Sequence, residues 1–391
     1  MRTATSVVGA VTAATLAVIG MLPAASGAPI RSRGPAPVRP APPSSYPLPA
    51  HALVVRTAAQ LEAALRRTTP TDIVLADGVY ASSAPFVDTH GHRLYARHLG
   101  RALLRAGLSI GSDHAASGAV VQGLAFDVAN VDATAEGAAI TVWGAANGAR
   151  VADVTLRGNG IVEAGLRVQQ PEGFRAERVV VRRFTDYGVT VDANDQSLQR
   201  LAQPFVLRDL DIAHVSRAAP GSSNGTGEAC LWLGNTGVVQ RARLRACAWT
   251  GLWTGTAATG LAVDGVDIDR TPVGVYLEHF TQRSTFSRLL VGRATRAGIV
   301  AEWDDPAWGG RPGSIDNTIE RSQLRSSIVG VYLDSGTTRT TIRNCRFAYQ
   351  RVAAIGDYRG IGNAYYGNDY SRIQPGAARV TTDHINVGGA G

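Results

Sequence analysis

Short glycine-led segments that end on a carboxylate recur along the chain, and they constrain its fold more than any other feature. Three of them are Gly274–Glu278, Gly298–Glu302 and Gly330–Asp334. Apolar and other residues alternate in each, and a period of two is typical of a strand with one buried face. The alternation predicts that the third and fifth residues of each segment point inward. The fourth residue and the terminal carboxylate are expected to point outward.

The same frame recurs on both sides of these segments, mostly at steps of about 21 to 24 residues. Repeats of this length are typical of solenoids and β-helices. The repeat consists of short strands and turns without a helical segment, and 44 glycines supply the turns. The sequence therefore predicts an all-β fold, a single-stranded parallel β-helix (solenoid) of roughly a dozen coils.

The two ends of the chain differ from the repeat. Residues 1–28 combine an early arginine, an apolar run too short for a membrane span and small residues, which predicts a secretory signal peptide. Residues 29–52 are rich in proline and predict a linker. The β-helix domain is expected over residues 53–375, followed by a C-terminal tail over 376–391. The mature protein is expected to be secreted (extracellular), with no membrane partner once the signal peptide is removed.

One helix is predicted, at the start of the domain. Leu61, Ala64 and Leu65 fall on one face of Ala58–Arg67, and the strand-like stretch Asp72–Tyr80 follows. A helix followed by this strand resembles the entry cap of the pectate-lyase-like right-handed parallel β-helix superfamily, over residues 53 to about 375. The resemblance implies a right-handed solenoid with an N-terminal capping helix. It also implies a carbohydrate-active enzyme, most often a polysaccharide lyase.

The charge of the chain bears on its partners. The formal net charge is +8, and every basic side chain other than histidine is an arginine. A basic exported protein suits acidic polymers such as uronate-containing polysaccharides. The arginines are spread along the repeats without interleaved aromatic residues, which argues against a nucleic-acid partner. An extracellular polysaccharide is the expected partner, and the oligomeric state is left open.

The three cysteines allow two interpretations. Cys230 can reach Cys247 on the neighbouring coil and form a disulfide, or all three cysteines are buried thiols. Cys247 and Cys345 are predicted to occupy equivalent repeat positions several coils apart, which is too far for a bond.

Stacked coils place equivalent residues about 4.8 Å apart, so outward residues form columns. The column at the last outward position is predicted to contain these acids: Asp192, Glu278, Glu302, Asp334 and Asp357. Like charges at this spacing cannot all ionise cheaply, so one carboxyl stays protonated or cations lie among them. Glycosidic cleavage needs such a mixed carboxyl pair, whereas a cage of oxygens suits calcium.

A second outward column is predicted to supply substrate-binding residues. It contains Arg167, Trp232, Trp253, Tyr276, Val300, Tyr332 and Ile355. Flat aromatic rings beside acids suit sugar rings, although a loop or partner covering this face would also explain them. An insertion after Glu302 adds Trp303, Asp304, Asp305 and Trp308, and such insertions into a solenoid usually carry binding residues.

The leading functional hypothesis is a glycoside hydrolase with catalytic residues Glu278, Glu302 and Asp334, which needs no cofactor. Glu278 and Glu302 on adjacent coils suit the roughly 5–5.5 Å of a retaining pair. Glu278 and Asp334, two coils apart, suit the roughly 6.5–9.5 Å of an inverting pair.

Two other hypotheses stay open. One is a polysaccharide lyase that uses an arginine such as Arg167 as the base for β-elimination on a uronate polymer, with Ca²⁺ compatible as a cofactor. The chain contains no lysine, which excludes a lysine–arginine catalytic pair. The other is a non-catalytic glycan-binding or surface protein. The sequence assigns no metal ligands.

Overall fold

The computed structural model describes residues 46–112, 115–129, 134, 137–192, 202–216, 229–255, 258–278, 281–301 and 313–387. These residues form three parallel sheets and one helix, α1 (Ala58–Leu65). Successive strands pass from sheet 1 to sheet 2 to sheet 3, and two of the sheets have 12 strands, so the described chain winds through twelve coils.

Sheet 1 has 13 strands. They are β1 (Leu53–Val55), β2 (Asp72–Leu75), β5 (Arg93–Ala96), β8 (Val120–Gln122), β11 (Arg150–Ala152), β14 (Arg175–Glu177), β17 (Phe205–Arg208), β20 (Gly237–Gln240), β23 (Ala262–Asp264), β26 (Thr285–Ser287), β29 (Thr318–Glu320), β32 (Thr341–Arg343) and β35 (Ala364–Tyr366).

Sheet 2 has 12 strands. They are β3 (Gly78–Tyr80), β6 (Ala102–Leu104), β9 (Ala125–Asp127), β12 (Thr155–Arg157), β15 (Val180–Phe184), β18 (Asp211–Val215), β21 (Arg243–Cys247), β24 (Asp267–Asp269), β27 (Leu290–Gly292), β30 (Gln323–Arg325), β33 (Arg346–Ala348) and β36 (Asp369–Arg372).

Sheet 3, which carries the glycine-led segments, also has 12 strands. They are β4 (Phe86–Asp88), β7 (Leu108–Ile110), β10 (Ala138–Val142), β13 (Ala164–Gln169), β16 (Tyr187–Asp192), β19 (Ala229–Leu233), β22 (Thr250–Thr254), β25 (Val273–Leu277), β28 (Ala297–Ala301), β31 (Val329–Leu333), β34 (Ala353–Asp357) and β37 (Ala378–Thr381).

The predicted parallel stack of short strands is confirmed. Alternation also predicts the faces of sheet 3 correctly: Val275, Ile299 and Val331 belong to the main core, while Tyr276 and Tyr332 belong to a separate cluster on the outer face. The helix α1 lies within its predicted range, and its buried residues join the main core. Its role as an end cap stays a prediction.

The recurring glycines of sheet 3 have a steric cause. A Cβ added to Gly274, Gly298 or Gly330 would lie 2.4–2.5 Å from a backbone carbonyl oxygen of the next coil. Contacts this short do not occur, so a side chain here would force neighbouring coils apart. Coil spacing, rather than an unusual backbone angle, therefore explains the repeat of glycine at this position.

Arginines in the turns join neighbouring coils through ion pairs. Arg241 Nε donates to Asp209 at 2.7 Å, and Arg339 Nε donates to Asp316 at 2.6 Å. Both arginines have left-handed backbone angles, with φ of 56° and 50°. Both guanidinium groups also donate through Nη2, so each pair is bidentate. Much of the positive charge is thus used between coils.

Cys230 and Cys247 form a disulfide with a Cα–Cα distance of 5.5 Å. It joins β19 to β21 and closes one turn of the solenoid from the inside. Cys345 is a buried free thiol in the turn before β33, whereas Cys247 lies at the end of β21. The predicted equivalence of Cys247 and Cys345 is therefore wrong, because the two residues occupy different positions in the coil.

The predicted signal peptide and most of the predicted linker lie outside the described residues. The helix found in the described part of the chain is too short to cross a membrane.

Candidate functional site

The second outward column is continuous along sheet 3. Backbone pairing places Thr190 beside Trp232, Trp232 beside Trp253 and Trp253 beside Tyr276. Arg167 precedes Thr190 in the same column, and Val300 and Tyr332 follow Tyr276. The coils therefore stack in the register that the sequence predicts over this region.

The predicted register fails by one residue at the C-terminal end. Tyr332 pairs with Gly356 and Leu333 pairs with Asp357, so Ile355 faces the core instead of the surface. Asp357 accepts hydrogen bonds from Asn363 at 3.1 Å and from the Tyr365 hydroxyl. Asp357 therefore does not extend the acidic column, and a local turn holds its carboxylate.

We call one part of the outer face of sheet 3 the open half. It comprises six partly exposed residues: Arg167, Tyr187, Asp192, Trp232, Trp253 and Glu278. Four strands, β13, β16, β19 and β22, and the residue after β25 supply them. Five of the six were predicted as site residues, and the structure brings them onto one surface.

Glu278 is held by the aromatic residues beside it. Trp253 Nε1 donates a hydrogen bond of 3.1 Å to Glu278 Oε2. The Trp253 ring packs edge-on against Tyr276 and Trp249, at centroid distances of 5.5 and 5.2 Å. Tyr276 is only 7% exposed because these rings enclose it. The aromatic cluster thus orients Trp253, and Trp253 in turn orients the carboxylate.

Two glycines interrupt the acidic column between Asp192 and Glu278. Gly234 and Gly255 directly follow the paired residues Leu233 and Thr254. A Cβ added to Gly255 would lie 2.2 Å from the Trp232 ring, so this ring lies against the bare backbone. Asp192 and Glu278 are three coil steps apart, or about 14 Å at about 4.8 Å per step. We call this stretch, which has two glycines in the column, the Trp232 ring beside them and an acid at each end, the trough.

Asp192 and Glu278 both lie close enough to Tyr187 to affect its pKa. Burial, together with the smaller effects of the negative charges of Asp186, Asp192 and Glu278, raises the pKa of Tyr187 to about 12. Arg167 has the opposite effect on this pKa. The Tyr187 hydroxyl is therefore protonated at neutral pH and keeps its capacity to donate a hydrogen bond.

Charged groups of both signs lie on the described part of this face. Arg167 lies near Glu163, with 3.8 Å between Nη2 and Oε2, and its side chain is only 16% exposed. The largest charge effects on the pKa of Tyr187 come from three carboxylates and from the guanidinium of Arg167. Among the strands of sheet 3, only β13 and β37 contain an arginine, so the net charge of +8 is not concentrated on these strands.

The remaining part of the face, which we call the covered half, comprises Val300, Tyr332 and Gly356. Val300 is 7% exposed and Tyr332 is 1% exposed. Ile385, from the C-terminal segment after β37, packs in the same cluster and is 7% exposed. The sequence placed Tyr332 on an open binding floor, and this expectation is wrong because the C-terminal segment covers the ring.

Asp334 lies at the border of the two halves. It is partly exposed, and its Oδ1 accepts a 2.7 Å hydrogen bond from the Ser335 backbone N–H. Its backbone position is two coil steps from that of Glu278, or about 10 Å at about 4.8 Å per step.

Several predicted site residues lie outside the described residues. These are Glu302, Trp303, Asp304, Asp305 and Trp308. Among the described residues, no three His, Cys, Asp or Glu side chains are arranged to hold a metal ion.

Three contributors to this surface, Tyr187, Trp249 and Gly255, were not predicted from the sequence. Tyr187 opens its strand where most repeats have a small or β-branched residue, and this contrast was a usable signal. Trp249 precedes its strand and so lies outside the two-residue alternation. Gly255 stands in the column of acids without a charge of its own, and its missing side chain makes room for Trp232.

A pocket of about 420 Å³ lies elsewhere, at the ends of β15 and β18. It is lined by Gly160, Arg183, Phe184, His214 and Ser216. It contains none of the predicted site residues.

Comparison with known proteins bears on the fold. No protein-family model matches the chain, and no curated protein sequence does. Among solved structures, the Dettilon tailspike protein superposes with a TM-score of 0.59 at 11% identity, covering 83% of this chain and 64% of the tailspike. The chain thus spans about two thirds of the tailspike's length.

Two enzymes superpose similarly. An alginate lyase has a TM-score of 0.54 at 11% identity, covering 83% of this chain and 88% of the lyase. The catalytic domain of an α-1,3-glucanase has a TM-score of 0.57 at 10% identity, covering 87% of this chain and 67% of that domain.

The chain is a parallel β-helix protein. Its described sheets and these three superpositions agree, and the predicted resemblance in fold is confirmed. At 10–11% identity these superpositions show that the fold is shared, but they assign no functional residue in this chain.

Proposed function

We propose that the β-helix protein is a glycoside hydrolase that binds an uncharged polysaccharide along the open half of sheet 3. The observation that carries the proposal is the Glu278 carboxylate, which Trp253 holds at the end of an aromatic trough. Aromatic faces provide stacking surfaces for sugar rings, and a positioned carboxyl can act on a glycosidic bond.

The charge of the face favours an uncharged substrate. A uronate polymer would bring its carboxylates close to Asp192 and Glu278, whose negative charges both act on Tyr187 on the same surface. Like charges at short range oppose binding. An uncharged glycan does not incur this repulsion, and its hydroxyl groups can donate hydrogen bonds to the same carboxylates.

Asp334 is the proposed partner of Glu278. Two coil steps bring their backbones to about 10 Å, near the roughly 6.5–9.5 Å between carboxyls that leaves room for water in an inverting hydrolase. One carboxyl would protonate the leaving oxygen and the other would activate the water. The retaining alternative pairs Glu278 with Glu302, which follows Ala301, the residue paired with Leu277.

A polysaccharide lyase is the second candidate function. Alginate lyases superpose over more than four fifths of this chain, and Arg167 lies near Tyr187, a proton-donating group. In this alternative Arg167 would remove the proton next to a uronate carboxyl, and Tyr187 would protonate the leaving oxygen. The crowding of acids around Arg167 argues against it.

One assay separates the two. The purified protein is incubated with neutral and acidic polysaccharides while reducing ends and near-ultraviolet absorbance are measured together. We expect new reducing ends from a neutral polysaccharide without the absorbance of an unsaturated product. Absorbance that rises with a uronate polymer would contradict the hydrolase and support the lyase.

Substitutions then assign the carboxyls. Glu278→Gln and Asp334→Asn are each expected to lower kcat by about 10²–10⁴-fold, as loss of an acid or base does. Asp316→Asn is the matched control, because Asp316 pairs with Arg339 in a turn away from the trough. If Asp334→Asn keeps activity and Glu302→Gln loses it, the retaining pair replaces the inverting one.

A further inference from the structure

Residues 382–387, the described residues after β37, return across the outer face of sheet 3. We call these residues the C-terminal tail, a shorter segment than the one predicted over 376–391. Its Ile385 side chain occupies the place where the outward column would continue. A Cβ added to Gly356 would lie 2.9 Å from Ile385 Cδ1 and 3.0 Å from the Tyr332 ring. Gly356 therefore leaves a gap in the column, and Ile385 fills it.

His384 extends the same contact. Its ring packs edge-on against Tyr358 at 5.0 Å and against Tyr332 at 6.3 Å between centroids. Burial raises the pKa of Tyr332 to about 12, and the charge of Asp334 adds to the effect. Because the Tyr332 ring is only 1% exposed, the tail packs closely over it. The tail therefore forms a wall at this end of the face.

The wall begins on the coil of Asp334, one of the proposed catalytic carboxyls, because the covered Tyr332 lies in the strand that Asp334 directly follows. Along the column the described residues are Asp192, the two glycines, Glu278 and, two coil steps further on, Asp334. Tyr358 follows Asp357, the residue paired with Leu333, so it stands at the next position of the column, and it contacts His384. A glycan in the trough can extend over the coils before Glu278. It meets the tail on the other side of the site.

We propose that the C-terminal tail closes one end of the glycan groove, so that the enzyme removes short units from a chain end instead of cutting within the polymer. This inference rests on the proposed function. Ile385 and His384 are the specificity-determining residues, because they set how many sugars fit beyond the cleaved bond. The substrate class is a long uncharged polysaccharide with an accessible chain end.

Three variants open the groove in different ways. The first ends the chain after Thr381, the second is Ile385→Asp, and the third is Gly356→Val, which displaces Ile385. Ile361→Asp is the matched control, because Ile361 is 66% exposed and lies outside the tail contact.

A spectrophotometric titration of the tyrosines checks the structural part. In the three variants, one more tyrosine should ionise near the ordinary pKa of about 10 than in the wild type. Tyr332→Phe in the truncated background should remove this signal. An unchanged titration in folded variants would show that the tail does not cover Tyr332, which overturns the proposal.

Product analysis checks the functional part. The wild type should release short products with little loss of polymer viscosity. The variants should lose at least about tenfold more viscosity per reducing end, because the polymer can now pass through the groove. Ile361→Asp should behave as the wild type does. A wild type that cuts within the polymer, or folded variants with unchanged products, would contradict the proposal.

The proposed function can fail separately. If no variant cleaves any polysaccharide, hydrolysis is wrong, and binding of oligosaccharides of increasing length replaces product analysis. The truncated variant should then gain affinity with each added sugar beyond the length at which wild-type affinity stops rising. Identical length dependence, or no binding by either protein, would overturn the closed groove as well.

Discussion

The open and covered halves of sheet 3 share one backbone repeat but differ in what lies over them. In the open half, Gly255 makes room for the Trp232 ring, and Trp253 and Glu278 remain partly exposed. In the covered half, Gly356 makes room for Ile385, and Tyr332 is buried. The same device, a glycine in an outward column, thus accommodates a ring of the sheet itself in one half and a distant segment in the other.

The halves are also braced differently. The Cys230–Cys247 disulfide lies inside the coils of the open half, where no apolar segment of the described chain seals the outer face. The coils beneath the covered half contain Cys345 as a buried free thiol, and the outer face there packs against the tail. In this solenoid, the coils that expose Trp232 and Trp253 are thus the ones that the disulfide joins.

The largest effect on stability is expected at Tyr332. Tyr332→Ala removes a fully enclosed ring and should lower the free energy of unfolding by about 3–5 kcal/mol, as large-to-small changes in cores do. Trp253→Ala removes a partly exposed ring and should cost clearly less. Chemical denaturation of the two variants beside the wild type measures the difference. Equal losses would show that the two halves do not differ in cover.

Much of this comparison, but not the cover itself, could be predicted from the sequence. Period-two alternation and the glycine repeat are local, so the stacking of Trp232, Trp253 and Tyr276 followed from them. The one-residue shift in pairing at Asp357 and the position of Ile385 were not predictable, because the sequence of the C-terminal tail does not follow the repeat. Whether Tyr332 is a floor or part of a core is decided by residues about 50 positions later.

The disulfide is expected to have the next largest effect. The double change Cys230→Ala with Cys247→Ala opens a loop of 17 residues and should lower the free energy of unfolding by about 3 kcal/mol. Cys345→Ala serves as the control for loss of a buried sulfur without loss of a bond. Thermal unfolding with and without reductant gives a second measure. If the double variant is as stable as Cys345→Ala, the disulfide does not stabilise the coils of the open half.

Alkaline pH should weaken both halves. Burial raises the pKa of Tyr187 and of Tyr332 to about 12, so the folded state holds these protons more tightly than the unfolded state does. Their contribution to stability is complete below pH about 10, the ordinary value, and is lost as the pH rises through about 12. Denaturation at a series of pH values measures this loss. Tyr187→Phe with Tyr332→Phe should flatten the curve, and an unchanged slope would contradict the assignment.

The smallest effect is expected for the hydrogen bond that orients Glu278. Trp253→Phe keeps an aromatic face but removes the indole N–H, so glycan affinity should change little while kcat falls about tenfold. Denaturation should show nearly wild-type stability, because the ring is partly exposed. A fall in affinity without a fall in kcat would assign Trp253 to stacking alone.

The most direct measurement is a crystal structure of the Glu278→Gln variant with an oligosaccharide of the polysaccharide that the wild type cleaves. We predict that sugar rings lie over Trp232 and Trp253 and that the glycosidic bond lies beside residue 278. The bound oligosaccharide should end at the C-terminal tail. Sugar bound on sheet 1 or sheet 2, or a chain that displaces Ile385 and continues past Tyr332, would contradict it.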